Sequence, residues 1–322
     1  MSDRVGRRAF LGAAAAGVLG AAASYGQEKK GARGAGEREV RLEFLCPKEI
    51  DEAQAACATI FVPLGTIEWH GVHNVVGVDA VKAHALCVRA ARRGGGVVMP
   101  ALFGGVGGLS EPHTFIMEEE NSVFSNMLRP WLEQLCREMA RDGFRAIIIL
   151  TGHYGAAQQI VVRETAVRMS RALGIPVLGT PECTIAMDVG YTGDHGAWGE
   201  TSLMMHLYPE TVDLSRLGKA PHKGVGGRDP KTQASAKDGR MITETVVSRL
   251  AILAEKMPKW GYETLDRFVD SEAALVARQL SAPRGKGNVW AAWRNMGTVM
   301  REYGKQLVEE RFDEIKASAA KL

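Results

Sequence analysis

Between residues 58 and 257 the chain alternates short unbroken apolar runs with longer segments whose apolar residues recur every three to four positions. The runs at 58–63, 96–100, 145–150 and 176–179 are bounded by turn residues and read as strands buried on both faces. The segments 80–93, 120–142, 156–173, 199–208 and 236–257 carry helical spacing. Strand and helix in strict alternation predict an α/β fold, a three-layer sandwich around a mainly parallel central sheet. Such sheets take ligands at the carboxyl ends of their strands. The stretch 218–240, rich in Gly, Lys, Pro and Asp, reads as a long surface loop and not as a domain boundary, because a helical pattern follows it directly. Residues 262–322 add two further helical stretches, polar enough to form a C-terminal extension. The expected organisation is therefore an α/β domain over 41–260 and a helical extension over 261–322.

The N-terminus follows a different pattern. Arg7-Arg8-Ala9-Phe10-Leu11 precedes an Ala/Gly-rich run to about Ala23, and Gly-rich polar sequence continues to about residue 40. Paired arginines before a weakly apolar run resemble a twin-arginine export signal over 1–26, followed by a flexible linker over 27–40. The run is too short and too Ala-rich to span a bilayer, so the expected product is a periplasmic protein without a stable membrane span. Net charge is +3, of which Arg4, Arg7 and Arg8 against Asp3 carry +2, so the mature chain is near neutral. No basic stripe interleaved with aromatics appears, which argues against a nucleic-acid partner. Five cysteines without paired spacing suggest neither a disulfide framework nor a thiolate metal site.

Three clusters carry candidate chemistry. The first strand runs into Glu68-Trp69-His70-Gly71, and Asp79 closes the loop just before a helix. A Glu and a His two residues apart on an extended segment point to one side, as a divalent cation requires. Gly71 and Gly77 let the chain fold back so that Asp79 can bridge two ions. Asp79 also suits an N-cap, and His70 a hydrogen-bonded loop histidine. The third strand ends in Thr151-Gly152-His153-Tyr154-Gly155, which places His153 where the sheet presents ligands or, alternatively, packs it at a helix start. Gly193-Asp194-His195-Gly196-Ala197-Trp198-Gly199-Glu200 precedes a further helix, where Glu200 is also favoured by the helix dipole alone.

Order and spacing across residues 58–257 resemble the creatininase family of metal-dependent amidohydrolases. That resemblance implies a creatininase-like fold with Glu68, His70, Asp79 and His153 as ligands to one or two divalent ions per subunit, Zn²⁺, Mn²⁺ or Fe²⁺. It also assigns His195 to acid/base work. Some family members place a second-ion carboxylate where Gly155 stands here, and Glu200 is then the expected fifth ligand as well as a catalytic neighbour. Ser110 and His113, in Ser110-Glu111-Pro112-His113, match the family's substrate-side loop. Tyr154 and Tyr191 match its aromatic pocket positions. The implied activity is hydrolysis of a C–N bond in a small cyclic amide such as creatinine, with formamide deformylation, peptide trimming or silent ligand binding as alternatives. Homo-oligomers, often hexamers, are the implied assembly.

Overall fold

The structure is a computed structural model that describes residues 38–119, 126–281 and 297–322. The expected signal and most of the linker lie outside the described residues, as do Trp290, Trp293 and the start of the helix expected from residue 120. Residues Glu39–Leu322 form one compact unit. Its elements in chain order are α1 Pro47–Ala56, β1 Thr59–Gly65, α2 Val78–Gly94, β2 Val97–Val98, β3 Leu102–Phe103, α3 Leu128–Arg141, β4 Ala146–Thr151, α4 Ala156–Leu173 and β5 Val177–Pro181. There follow α5 Glu182–Ile185, α6 Trp198–Leu207, α7 Pro230–Gln233, α8 Ala236–Lys256, α9 Tyr262–Ser281, α10 Tyr303–Val308 and α11 Phe312–Ala319. The helix α1 is absent from the sequence reading because only Ala53 in it is buried, leaving no apolar periodicity to detect.

All strand pairs are parallel, in the order β2-β1-β4-β5, with β3 pairing the far end of β1. Alternate residues of the central strands supply two cores. Phe61, Ile148 and Leu150 join Leu86 of α2 and Leu250 of α8 on one face. Ile60, Val62, Leu64, Ile147 and Ile149 join Leu132 of α3 and Val161 of α4 on the other. The result is the expected sandwich, in which each fully buried Ile, Leu or Phe contributes about 1.5–3 kcal/mol. The same cores reach past residue 260, because Phe268, Leu275, Leu307 and Phe312 belong to the first.

The edge strand is broken in two where a single run was expected, and Pro63 gives the reason. The Phe61 and Gly65 carbonyls accept from Met99 and Gly104 on the edge side, whereas the Leu64 carbonyl accepts from Gly152 on the β4 side. This alternation turns Pro63, which has no N–H to donate, toward the edge between β2 and β3.

The 218–240 segment is a loop up to Asp229, which caps the short α7 by accepting from the Lys231 N–H. Helix α8 then starts at its Ser235 cap. No helix among the described residues is long and apolar enough to cross a membrane. All five cysteines are free, with Cys87, Cys136 and Cys183 buried.

Candidate functional site

The carboxyl ends of β1, β4 and β5 and the first turns of α2 and α6 converge on one buried cluster. Close backbone approach makes this convergence possible. A Cβ on Gly65 would lie 2.2 Å from the Ala80 nitrogen, and one on Gly152 would lie 2.1 Å from the Asp79 carbonyl oxygen. With glycine at both strand ends, the start of α2 drops between β1 and β4 and delivers Asp79 to the centre. Asp79 is not the cap of α2, since Gly77 holds that position.

The two oxygens of Asp79 serve two different groups. Oδ1 lies 3.1 Å from Nε2 of His70, which is itself 3.3 Å from Oε2 of Glu200. Oδ2 lies 3.2 Å from Nδ1 of His153, which is 3.1 Å from Oε2 of Glu68. Both imidazoles are oriented by their other nitrogen. His70 Nδ1 bonds the Glu68 carbonyl at 3.0 Å, and His153 Nε2 bonds the Gly107 carbonyl at 3.1 Å. Those backbone bonds orient both rings and leave the opposite nitrogen of each facing the carboxylates, the arrangement that supports metal-ligating histidines. Glu68 is held by the Leu109 N–H at 2.6 Å and Glu200 by the Gly196 N–H at 2.7 Å.

Electrostatics follow from this packing. Burial disfavours charge on His70 and His153, but the facing carboxylates outweigh it. Glu200 and Asp79 hold His70 well above its ordinary range, and Asp79 and Glu68 raise His153 to about 10. Burial likewise opposes the Asp79 carboxylate, yet His70, His153 and Lys82 keep its pKa well below the usual value. Protons on two imidazoles and the Lys82 ammonium thus compensate three buried carboxylates, a task that metal cations also perform. Glu68 Oε2 and His70 Nε2 are buried without a hydrogen bond. Carboxylate oxygens and imidazole nitrogens, convergent and oriented from behind, fit divalent metal in two overlapping sets, Glu68/Asp79/His153 and His70/Asp79/Glu200.

His195 stacks on His70 with ring centroids 4.2 Å apart, and its Nε2 bonds the Trp69 carbonyl at 2.7 Å. Burial and the adjacent His70 push its pKa down, so the ring is neutral near pH 7. It lines a cavity of about 590 Å³ together with Glu68, Leu109, Glu111, His153 and Tyr154. Ser110 lies in an adjoining hollow, and exposed His113 stacks against Trp69. Tyr191 is buried behind Tyr154, their hydroxyls 2.5 Å apart.

Three residues of the site escape the sequence reading. Lys82 and Glu182 are fully buried next to Glu200, and Asp194 accepts from the Gly199 and Glu200 N–H groups at 2.6 and 3.1 Å. Lys82 had a legible signal: it is a charge among Ala and Leu on the apolar face of α2, one turn after Asp79. Glu182 stands directly after a strand, where parallel sheets present ligands. His222, in the loop before α7, is partly covered and pairs with Asp229 at 3.0 Å.

Fold and site together define a three-layer α/β protein with a carboxylate and imidazole cluster at the carboxyl edge of its parallel sheet. The sequence profile of the creatininase family, described as creatinine amidohydrolase, matches residues 44–254, and the chain belongs to that family of amidohydrolases. It is 30% identical over 253 residues to a creatinine amidohydrolase of Pseudomonas putida, covering 64% of this chain and 94% of that one. Among solved structures it resembles one described as creatininase Mn, at 28% identity and a TM-score of 0.57, covering 69% of this chain and all of that one. A mutant creatininase of Zn–Zn type matches with the same identity, score and coverage.

Proposed function

We propose that this chain is an exported, metal-dependent amidohydrolase that opens a C–N bond in a small cyclic amide, with creatinine the leading candidate. The observation that carries this reading is the division of Asp79, one oxygen toward His70 and Glu200 and the other toward His153 and Glu68. A divalent ion held by these residues would supply Lewis acidity and would make water more acidic, toward a pKa of ~7.

The chain's own residues supply orientation and proton transfer. His195 bonds the Trp69 carbonyl through Nε2, which leaves Nδ1 to accept a proton from water and return it to the departing nitrogen. Its depressed pKa suits it to act first as the base. Tyr154, Leu109, Glu111 and Asp194 border the cavity beside His195 and His153. The Arg7-Arg8 segment is what supports export in this reading. Self-association, hexameric on the family resemblance, is supported by exposed Phe103 and Phe115; light scattering on the purified protein tests it.

Metal content of purified protein, with and without Asp79→Asn, combined with a hydrolysis screen over creatinine, formamides and short peptides, tests the reading. Metal lost in the variant and turnover of creatinine by the parent are expected. Unchanged metal content or no turnover with any metal would overturn it. Replacing Arg7 and Arg8 by lysine is expected to abolish export; unaltered export would refute the signal.

A further inference from the structure

The two ligand sets that share Asp79 are not equivalent, and the difference is a buried ammonium. Lys82 lies one helical turn after Asp79 on α2, and its side chain is fully inaccessible to solvent. Its Nζ donates to the Gly152 carbonyl at 2.8 Å and to Oε1 of Glu200. It lies 3.4 Å from Oε1 of Glu182, 3.7 Å from Oδ1 of Asp79 and 4.4 Å from the centre of the Tyr154 ring. Held among a carbonyl, three carboxylates and an aromatic face, the ammonium cannot swing out to water.

All of this positive charge faces one set. The His70/Asp79/Glu200 set has Lys82 on both of its carboxylates, and Oε2 of Glu200 already accepts from Gly196. Among the described residues, no lysine or arginine pairs with Glu68 or with Oδ2 of Asp79 in the other set. Gly155, having no side chain, adds no compensating carboxylate, and a Cβ there would lie 2.7 Å from Nε2 of His153. A divalent ion in the second set would sit beside a fixed like charge in a buried, weakly screened environment.

Building on the metal-site reading above, we propose that this chain holds a single divalent ion tightly, at Glu68, Asp79 and His153, and that the Lys82 ammonium takes the place of the second ion's charge beside His70 and Glu200. Glu182 serves as the counter-charge that anchors the ammonium and is a positioning residue for it. The second set then binds a divalent ion only weakly, and Lys82 is what weakens it.

The test is a titration of metal-stripped full-length mature protein with Mn²⁺, read by calorimetry, by metal content after desalting and by the electron paramagnetic resonance of the bound ion. The wild type is expected to retain about one Mn²⁺ per chain and to show the signal of an isolated ion. Lys82→Met, which keeps the stem and removes the charge, is expected to tighten a second equivalent by about tenfold or more. Two tightly retained ions with a spin-coupled signal in the wild type, or an unchanged second equivalent in Lys82→Met, would overturn the proposal while leaving the metal-site reading intact. No retained ion in the wild type would remove both. If Lys82→Met does not fold, the wild-type stoichiometry and signal decide alone.

Discussion

His70 and Asp79 meet through Nε2 and Oδ1 at 3.1 Å, while the opposite nitrogen of His70 is fixed to the Glu68 carbonyl. A residue from the strand end and one from the following helix are thereby locked into a single donor set. In the absence of cations, protons must hold these carboxylates and imidazoles together. A divalent ion that binds the folded chain therefore stabilises it by mass action, by about 2.7 kcal/mol at 100 times the dissociation constant. Adding Mn²⁺ or Zn²⁺ to stripped protein is expected to raise the melting temperature. Asp79→Asn is expected to remove most of that rise, and an equal shift in the variant would count against the cluster as the binding site.

Restoring a carboxylate at position 155 does not build another ligand in this backbone. A Cβ there would crowd Nε2 of His153 at 2.7 Å and the Val106 carbonyl at 2.9 Å. Gly155→Glu is expected to cost about 1–3 kcal/mol through overpacking. It should hold no more metal than the parent. Urea unfolding and metal analysis check both, and a stable variant with an added ion would contradict the geometry.

Stability should fall on mild acidification through His73. Its ring is buried with Nε2 3.0 Å from the Thr201 hydroxyl, and burial lowers its pKa from 6.5 to about 4. Between those values the unfolded chain binds a proton that the folded chain refuses. The contribution is fully present above pH 6.5 and is lost as pH drops toward 4, by up to about 3 kcal/mol. Urea midpoints across that window should decline less steeply in His73→Gln. Identical slopes would assign the acid sensitivity to other groups.

The C-terminal helices are bound to the catalytic sheet by a buried ion pair. Arg163 of α4 donates to Glu272 of α9 at 2.8 Å and to the Thr180 hydroxyl of β5 at 3.0 Å, and the Tyr303 hydroxyl of α10 donates to Glu272 at 2.9 Å. Glu272→Ala leaves the guanidinium buried and unpaired, which is expected to cost about 3–5 kcal/mol in denaturant unfolding. A loss under about 1 kcal/mol would show that the helices are held by apolar packing alone.

Much of this protein is written locally. Apolar runs separated by helical spacing determine the parallel sandwich, because strands buried on both faces must be continuously apolar and covering helices need only one apolar stripe. Glu68, His70, Asp79, His153 and Glu200 were visible because each falls at a strand end or helix start, positions that the sheet's topology brings together. Spacing could not determine which oxygen of Asp79 faces which histidine, nor that Ser110 and His113 fall outside the main cavity. Those follow from the angle at which α2 descends past Gly65 and Gly152 and from the path of the loop after β3. The apolar pattern puts Lys82 on the inner face of α2 but does not show what keeps its charge there, since that depends on Glu182 and Glu200 arriving from elements 100 and 118 residues away. Sequence determined the donor types and their stations along the sheet; only tertiary packing decided how their charges are paired, because pairing depends on distances between atoms far apart in the chain.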